Sequence, residues 1–430
     1  MTMGVVDTAM VGRVSATSLA AVALGSIYFF TVSIFGIGVL QVLDPIVAQA
    51  VGAGDRPAIA RGVQRGLLLT VPLTALCSIL IWPAETVLAL LRQPGDVVPI
   101  AGVFTRALIP GLLPFFVFFV LRQSLQAMGH LRPLVVATVL ANVINALLNW
   151  VLIFGHLGMP ALGAVGSGWA TSLSRIFMTA GLVVVSWRWI RPYLVPWHRE
   201  SQALAPLLRM LRIGVPIGLQ FQIEFGAFSV TALLMGTLGT VQMAAHQVAI
   251  NLASLTFMVP LGIGSAAAVL VGRAVGRGDP MEARRAAAMS LLLGATFMLA
   301  SAALMLAVPR LFAVAYTNDQ AVLALAATLI PIAGVFQVFD GLQVVAAGAL
   351  RGAGDTRVPM LMTLVGFWLV GVPVSVYLGF YAGAGPIGLW WGFVAGLGAV
   401  ATLLLLRVRA RFRGPLARLA IETDRATHLG

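Results

Sequence analysis

The chain has 430 residues, 60% hydrophobic and 10% charged, with a mean hydropathy of +0.99, which excludes a soluble domain with a polar surface. The formal charge of +13 is carried by arginines alone, nearly all in loops or at span ends, so it reports membrane orientation and not nucleic acid. One cysteine, Cys77, lies in an apolar run and permits neither an intrachain disulfide nor a thiolate metal cluster.

The apolar runs are close to twenty residues or longer and rich in Leu, Ala, Val and Gly. They predict an all-α polytopic membrane protein, since a membrane β-barrel would show alternating strands of about ten residues. In chain order, Met1 to Val14 is a short first span whose helix reaches about 21 Å, less than the roughly 30 Å hydrocarbon core. It has neither the basic start nor the small-residue cleavage site of a signal peptide. Further spans are expected at Leu24 to Val51, Val63 to Trp82, Val97 to Leu121, Leu134 to Phe154 and Ala164 to Trp189. An arginine-bearing connection with Pro192, Pro196 and Pro206 follows. The second set is expected at Leu211 to Leu238, Gln247 to Val271, Ala287 to Val308, Ala321 to Leu350, Val358 to Tyr381 and Ile387 to Leu406. Twelve spans result, the first incomplete. Pro110, Pro114, Pro216, Pro260, Pro331 and Pro373 fall inside spans and predict kinks.

Arginine placement orients these spans. The connections after even-numbered spans and the C-terminal tail hold 22 arginines, the opposite side holds 4, and Arg175 lies within span 6. Even-numbered connections and the C-terminus are therefore expected in the cytoplasm.

The chain also repeats itself. A shift of 224 residues lays Gly12 on Gly236, Ala20 on Ala244, Gly38 on Gly262, and Gly52-Ala-Gly-Asp55 on Gly276-Arg-Gly-Asp279. A shift of 225 lays Gly129 on Gly354 and Arg132 on Arg357. Two six-helix halves of like topology follow, a parallel repeat that favours a central cavity and a rocking transporter. The organisation expected is an N-lobe at 1–190, a cytoplasmic linker at 191–209, a C-lobe at 210–410 and a basic cytoplasmic tail at 411–430. The same register predicts that about twenty residues of the first span and its approach precede Met1.

Four acids stand inside the spans: Asp7, Asp44, Glu224 and Asp340. Centring an aspartate in hydrocarbon costs roughly 2.5 to 3.5 kcal/mol on insertion scales, so such residues face a bundle interior or a wet cavity and mark ion paths. Glu224 and Asp340 are both deep and both in the second half. If their helices face each other, two carboxylates in low dielectric resist being charged together, and the pair could hold one proton or one small cation such as sodium. Either acid could instead be a structural hydrogen-bonding group. Asp7 belongs to the first half, where Asn145 and Asn149 share a helix face flanked by Asn142; these amides could be helix glue or partners of a second protonation site. Asp44, followed by Pro45, could line a cavity or sit near the end of span 2.

Val6-Asp-Thr-Ala-Met-Val-Gly12 with Leu19-Ala-Ala-Val-Ala-Leu24, Asp44-Pro-Ile-Val-Ala-Gln49, Asn145-Ala-Leu-Leu-Asn-Trp150, Pro216 through Glu224, and Asp340 through Arg351-Gly-Ala-Gly-Asp355 carry a resemblance. Together they resemble the multidrug and toxic compound extrusion (MATE) family, NorM-like branch, over almost the whole chain. The resemblance implies twelve helices in two lobes and export of lipophilic, often cationic drugs by antiport with sodium or protons. It implies that Glu224 and Asp340 are the cation-site acids and that Asp7, Asn145 and Asn149 form the N-lobe polar cluster. Phe336 stands one turn before Asp340, where some members carry tyrosine, which leaves sodium and proton both open.

Further expectations are a cavity lined by residues such as Asp44, Phe336, Met258 and Trp391, no cofactor, and no metal beyond a sodium ion at Glu224 and Asp340. A monomer in the bacterial cytoplasmic membrane is expected, with small cationic compounds and the lipid bilayer as partners. A flippase for lipid-linked oligosaccharides shares the twin-lobe plan, but its pyrophosphate cargo calls for a more cationic interior than one arginine against four acids. An enzyme is not expected, because His130, His156, His198, His246 and His428 show no metal-ligand spacing and no nucleophile motif is present.

Overall fold

A computed structural model of the chain describes residues 2–422. Among these, eleven helices or helix pairs are long and apolar enough to cross a membrane, in addition to the ten-residue helix at the start. The helices are α1 (Thr2–Val11), α2 (Ala16–Leu40), α3 (Leu43–Gly52), α4 (Arg56–Ile81), α5 (Ala84–Leu90), α6 (Val98–Ala107), α7 (Leu112–Ala127), α8 (Arg132–Phe154) and α9 (Gly163–Leu194). They continue as α10 (Leu204–Leu238), α11 (Thr240–Gly276), α12 (Pro280–Ala307), α13 (Pro309–Val314), α14 (Gln320–Gly352), α15 (Arg357–Leu364), α16 (Val372–Val376) and α17 (Gly385–Arg413).

The helix ends show why the repeat was visible in sequence. Gly54 and Gly278 take φ of 68° and 73°, a region closed to most side chains, and each is followed by an aspartate that caps the next helix. Asp55 accepts from the Ala58 N–H and Asp279 from the Glu282 N–H, in turns one repeat length apart. Gly129 and Gly354 match in the same way, with φ of 85° and 76°. Of the prolines, Pro110 lies in a short 3-10 turn between α6 and α7, and Pro373 lies in α16 between two π-helical stretches, 365–371 and 377–381. Pro216, Pro260 and Pro331 lie inside continuous helices.

The chain forms two compact units. Among the described residues, unit 1 comprises 2–43, Asp55–Gly218 and Glu422. The connection expected at 191–209 is held within it. Gln64, fully buried on α4, donates to the carbonyls of Tyr193 and Pro196 and accepts from the His198 N–H and the Ser201 hydroxyl. Arg61 and Arg65 both pair with Glu422, and Arg65 donates to the Glu200 carbonyl at 3.0 Å. Of the basic tail expected at 411–430, residues 423–430 lie outside the described residues.

Unit 2 comprises Asp44–Gly54 and Leu219–Ile421. The segment Asp44–Gly54, N-lobe by chain order, thus packs with the second half of the chain. Small residues allow this: a Cβ added at Gly52 would lie 2.0 Å from the Arg273 carbonyl oxygen, and one at Gly276 would lie 2.0 Å from that of Gln49. These four residues are repeat partners, Gly52 with Gly276 and Gln49 with Arg273, so α3 and the end of α11 cross with their backbones in contact at small residues, as in membrane helix pairs. The Gln49 amide donates to the Gly352 carbonyl at 3.0 Å and accepts from the Leu419 N–H at 2.8 Å. The apolar core of unit 2 runs along α11, α14 and α17.

Candidate functional site

Two buried polar clusters occupy the units, one in each. In unit 2, Glu224 on α10 and Asp340 on α14 meet through a third side chain, Gln343. Asp340 is 5% and Gln343 1% exposed, while Glu224 is half-buried. Gln343 follows Asp340 by three residues and so lies on the same helix face. Its amide nitrogen donates to Oε1 of Glu224 at 3.0 Å and to Oδ1 of Asp340 at 3.4 Å. Its own Oε1 is buried and accepts no hydrogen bond among the described residues.

An aromatic layer closes one side of these acids. Phe228 stands one turn after Glu224 on α10, and Phe336 one turn before Asp340 on α14; their rings meet edge to face at 6.0 Å. Phe393 lies 5.1 Å from Phe336 and 4.6 Å from Phe228, and Trp390 lies 5.7 Å from Phe336. Acid faces acid and ring faces ring because the two helices present residues four apart in opposite chain directions. The layer puts apolar surface on that side of the carboxylates, where a lower dielectric strengthens any interaction they make with a cation. Trp368 donates to the Ile223 carbonyl at 3.1 Å, fixing the α10 backbone beside Glu224. Gln337, next to Phe336, accepts from Thr256 at 2.6 Å and donates to Ser301 at 2.9 Å, tying α14 to α11 and α12.

In unit 1, Asp7 on α1 is 7% exposed, and Asn145 and Asn149 on α8 are fully buried. Asn149 donates to Asp7 Oδ1 at 2.5 Å and to Asn145 Oδ1 at 3.2 Å, while the Thr171 hydroxyl on α9 donates to Asp7 Oδ2 at 2.8 Å. Asn142 stands apart and donates to the Thr138 carbonyl of its own helix. Arg175, one turn after Thr171, is sandwiched between the rings of Phe29 and Phe115 at 4.7 and 4.5 Å, near enough for its charge to act on Asp7.

Of the four residues expected to line a cavity, two are buried and two are exposed. Asp44 is 1% exposed on α3 and pairs with Arg351, itself 9% exposed, at 3.4 Å within unit 2. Phe336 is 1% exposed inside the aromatic layer, whereas Met258 and Trp391, at 36% and 43%, lie on the surface of unit 2. An apolar depression of about 450 Å³ at the turn between α10 and α11, lined by Gly236, Gly239, Thr240, Met243, Ala244 and Gln247, holds none of the acids. Sequence reasoning passed over Gln343, Thr171 and Gln64. The signal for Gln343 was present, an amide three residues from an intramembrane acid on one helix face.

The carboxylates and amide of unit 2 offer oxygens to a hard monovalent cation or a proton, and the aspartate of unit 1 offers a second acceptor ringed by donors.

A family model described as MatE matches residues 1–151 and 216–377. A probable multidrug resistance protein NorM from Brucella suis biovar 1 (strain 1330) is 37% identical over 418 residues, covering 94% of this chain and 88% of that protein. Multidrug resistance protein PmpM from Pseudomonas aeruginosa is 37% identical over 384 residues, covering 87% of this chain and 79% of that protein. Among solved structures, the eukaryotic MATE transporter AtDTX14 superposes with a TM-score of 0.87 at 22% identity, over 96% of this chain and 93% of that one. An outward-facing multidrug resistance MATE transporter of the MOP superfamily superposes at 0.84 with 20% identity, over 96% and 94%. At these identities the structural likeness speaks for the fold alone.

Proposed function

The chain belongs to the MatE family, and we propose from that premise that it is a multidrug efflux transporter of the bacterial cytoplasmic membrane, exporting lipophilic and cationic compounds in exchange for sodium or protons. The observation that carries the reading is the meeting of Glu224 and Asp340 across one amide inside an apolar unit. The names of the NorM and PmpM relatives support the drug cargo.

The cycle follows from electrostatics. A monovalent cation entering from outside offsets one negative charge of the Glu224 and Asp340 pair, which lowers the cost of closing apolar walls around them and weakens their hold on a bound cationic drug. The drug leaves as the cation arrives. The protein then turns inward, the coupling cation escapes to the cytoplasm, and the re-ionised acids attract the next cationic compound. Asp7, with donors from Asn149 and Thr171, is a second acceptor for the coupling proton or for the substrate. One positive charge moving inward down 100 mV supplies about 2.3 kcal/mol, roughly a fiftyfold gradient. For a singly charged drug exchanged one for one the charges cancel, so export then depends on the chemical gradient of the coupling ion.

The test is ethidium efflux from right-side-out vesicles under an imposed sodium gradient or an imposed pH gradient. Response to one gradient and indifference to the other identifies the ion. Glu224→Gln and Asp340→Asn should each reduce efflux to the background of vesicles lacking the protein, at unchanged protein level. Ion-coupled export at the normal rate by both variants would refute the reading.

A further inference from the structure

The acid pair has a third member whose chemistry is half used. Gln343 spends its amide hydrogens on Glu224 and Asp340, at 3.0 and 3.4 Å. A carboxyl oxygen accepts from an N–H whether or not the acid is ionised, and the amide here donates to one oxygen of each acid. Its carbonyl oxygen is left buried without a donor, on a side chain 1% exposed. A buried acceptor without a donor is costly, and proteins keep few of them without a use. One turn before Asp340, Phe336 offers only a ring, and the Gln337 oxygen already accepts from Thr256, so Gln343 supplies the neutral oxygen that is still free to bind beside the two acids.

We propose that Gln343 is a ligand of the coupling cation: its amide donates to Glu224 and Asp340 while the site is empty and turns its carbonyl oxygen to the cation when one enters. The terminal torsion of a glutamine is broad, and a half-turn exchanges nitrogen and oxygen with little displacement of the side chain. A sodium ion then meets oxygens from two carboxylates and one amide, and a proton on either acid becomes an O–H that the same carbonyl accepts. Without the turn, the amide hydrogens would face the arriving positive charge. Gln343 therefore sets how tightly the cation is held, while the acids set whether it is held at all. This inference rests on the reading of Glu224 and Asp340 as the coupling-ion site.

The experiment measures the coupling-ion concentration for half-maximal ethidium efflux in vesicles, for the wild type, Gln343→Met, Gln343→Glu, Glu224→Gln and Asp340→Asn. Gln343→Met keeps length and bulk but offers no carbonyl, and should raise the half-saturating concentration at least tenfold. Gln343→Glu restores an oxygen at the same reach and should bring the value back to that of the wild type or lower. A role in packing alone would lower the melting temperature and the rate together and leave the half-saturating concentration where it was, which overturns the inference. If Gln343→Met accumulates poorly, ion-induced thermal stabilisation of purified Gln343→Asn and Gln343→Glu decides. Asn withdraws the carbonyl by one methylene and should lose most of the ion-induced shift that Glu retains, and equal shifts in both overturn the inference. Abolished coupling in Glu224→Gln and Asp340→Asn with no change at Gln343 removes the amide from the site but keeps the acids. Intact coupling in all variants removes both.

Discussion

Replacing Gly52 by alanine inserts one methyl group where the structure has no room. The new Cβ would lie 2.0 Å from the Arg273 carbonyl oxygen, whereas real Cβ contacts are not found under 3.0 Å, so α3 must move by about 1 Å. That shift stretches the 3.0 Å bond from Gln49 to the Gly352 carbonyl beyond hydrogen-bonding range. Overpacking costs about 1 to 3 kcal/mol, and the lost bond adds about 1 kcal/mol. The sum, roughly 2 to 4 kcal/mol, is a large share of ordinary protein stability. Gly276→Ala makes the repeat-related clash with the Gln49 carbonyl, also at 2.0 Å, and should cost as much. Gly262 is the control, an interior residue of the same helix α11 with nothing within 4 Å of its Cβ position. Gly262→Ala should be neutral or stabilising by up to about 1 kcal/mol through helix propensity. The assay is thermal unfolding of the purified protein in detergent, followed by size-exclusion of the surviving fraction. Equal melting of Gly52→Ala, Gly276→Ala and Gly262→Ala would refute the close crossing of α3 and α11.

Asp44→Asn should destabilise by roughly 3 to 5 kcal/mol, because it leaves the Arg351 charge buried opposite a neutral group. The double variant Asp44→Asn with Arg351→Met should recover most of that loss in the same melting assay, and a double variant no more stable than the single would contradict a paired burial. Thr171→Val keeps the shape of α9 but takes one donor from the buried Asp7, a loss of about 1 to 3 kcal/mol visible as a lower melting temperature. Thr179→Val, which removes a hydroxyl that bonds only backbone carbonyls, should cost less than Thr171→Val, and the reverse order would speak against the Asp7 cluster.

Much of the architecture was written along the chain. Runs of apolar residues about as long as the bilayer is thick mark helices, since every backbone group in hydrocarbon must be bonded within its own segment. The repeat of Gly52-Ala-Gly-Asp55 as Gly276-Arg-Gly-Asp279 has its physical basis in two turns of one conformation, because a left-handed glycine followed by a capping aspartate is a local device needing no distant partner. Glu224 and Asp340 were legible as candidates for a similar reason, since an acid within an apolar run stands out against its own neighbours.

Partnership was less legible. Gln343 and Thr171 are ordinary polar residues in their helices until tertiary packing brings carboxylates to within 3.0 and 2.8 Å of them. Asp44 reads as a candidate cavity residue and Gln49 as one more polar position in α3, yet both are engaged with the end of α14, more than 300 residues away in sequence. Hydropathy and repeats act through the local chain, and so the amino-acid sequence alone determined the helices, their number and the residues whose burial needs a reason. Which donor meets which acceptor depends on the crossing of helices far apart in the chain, and that the tertiary structure alone decided.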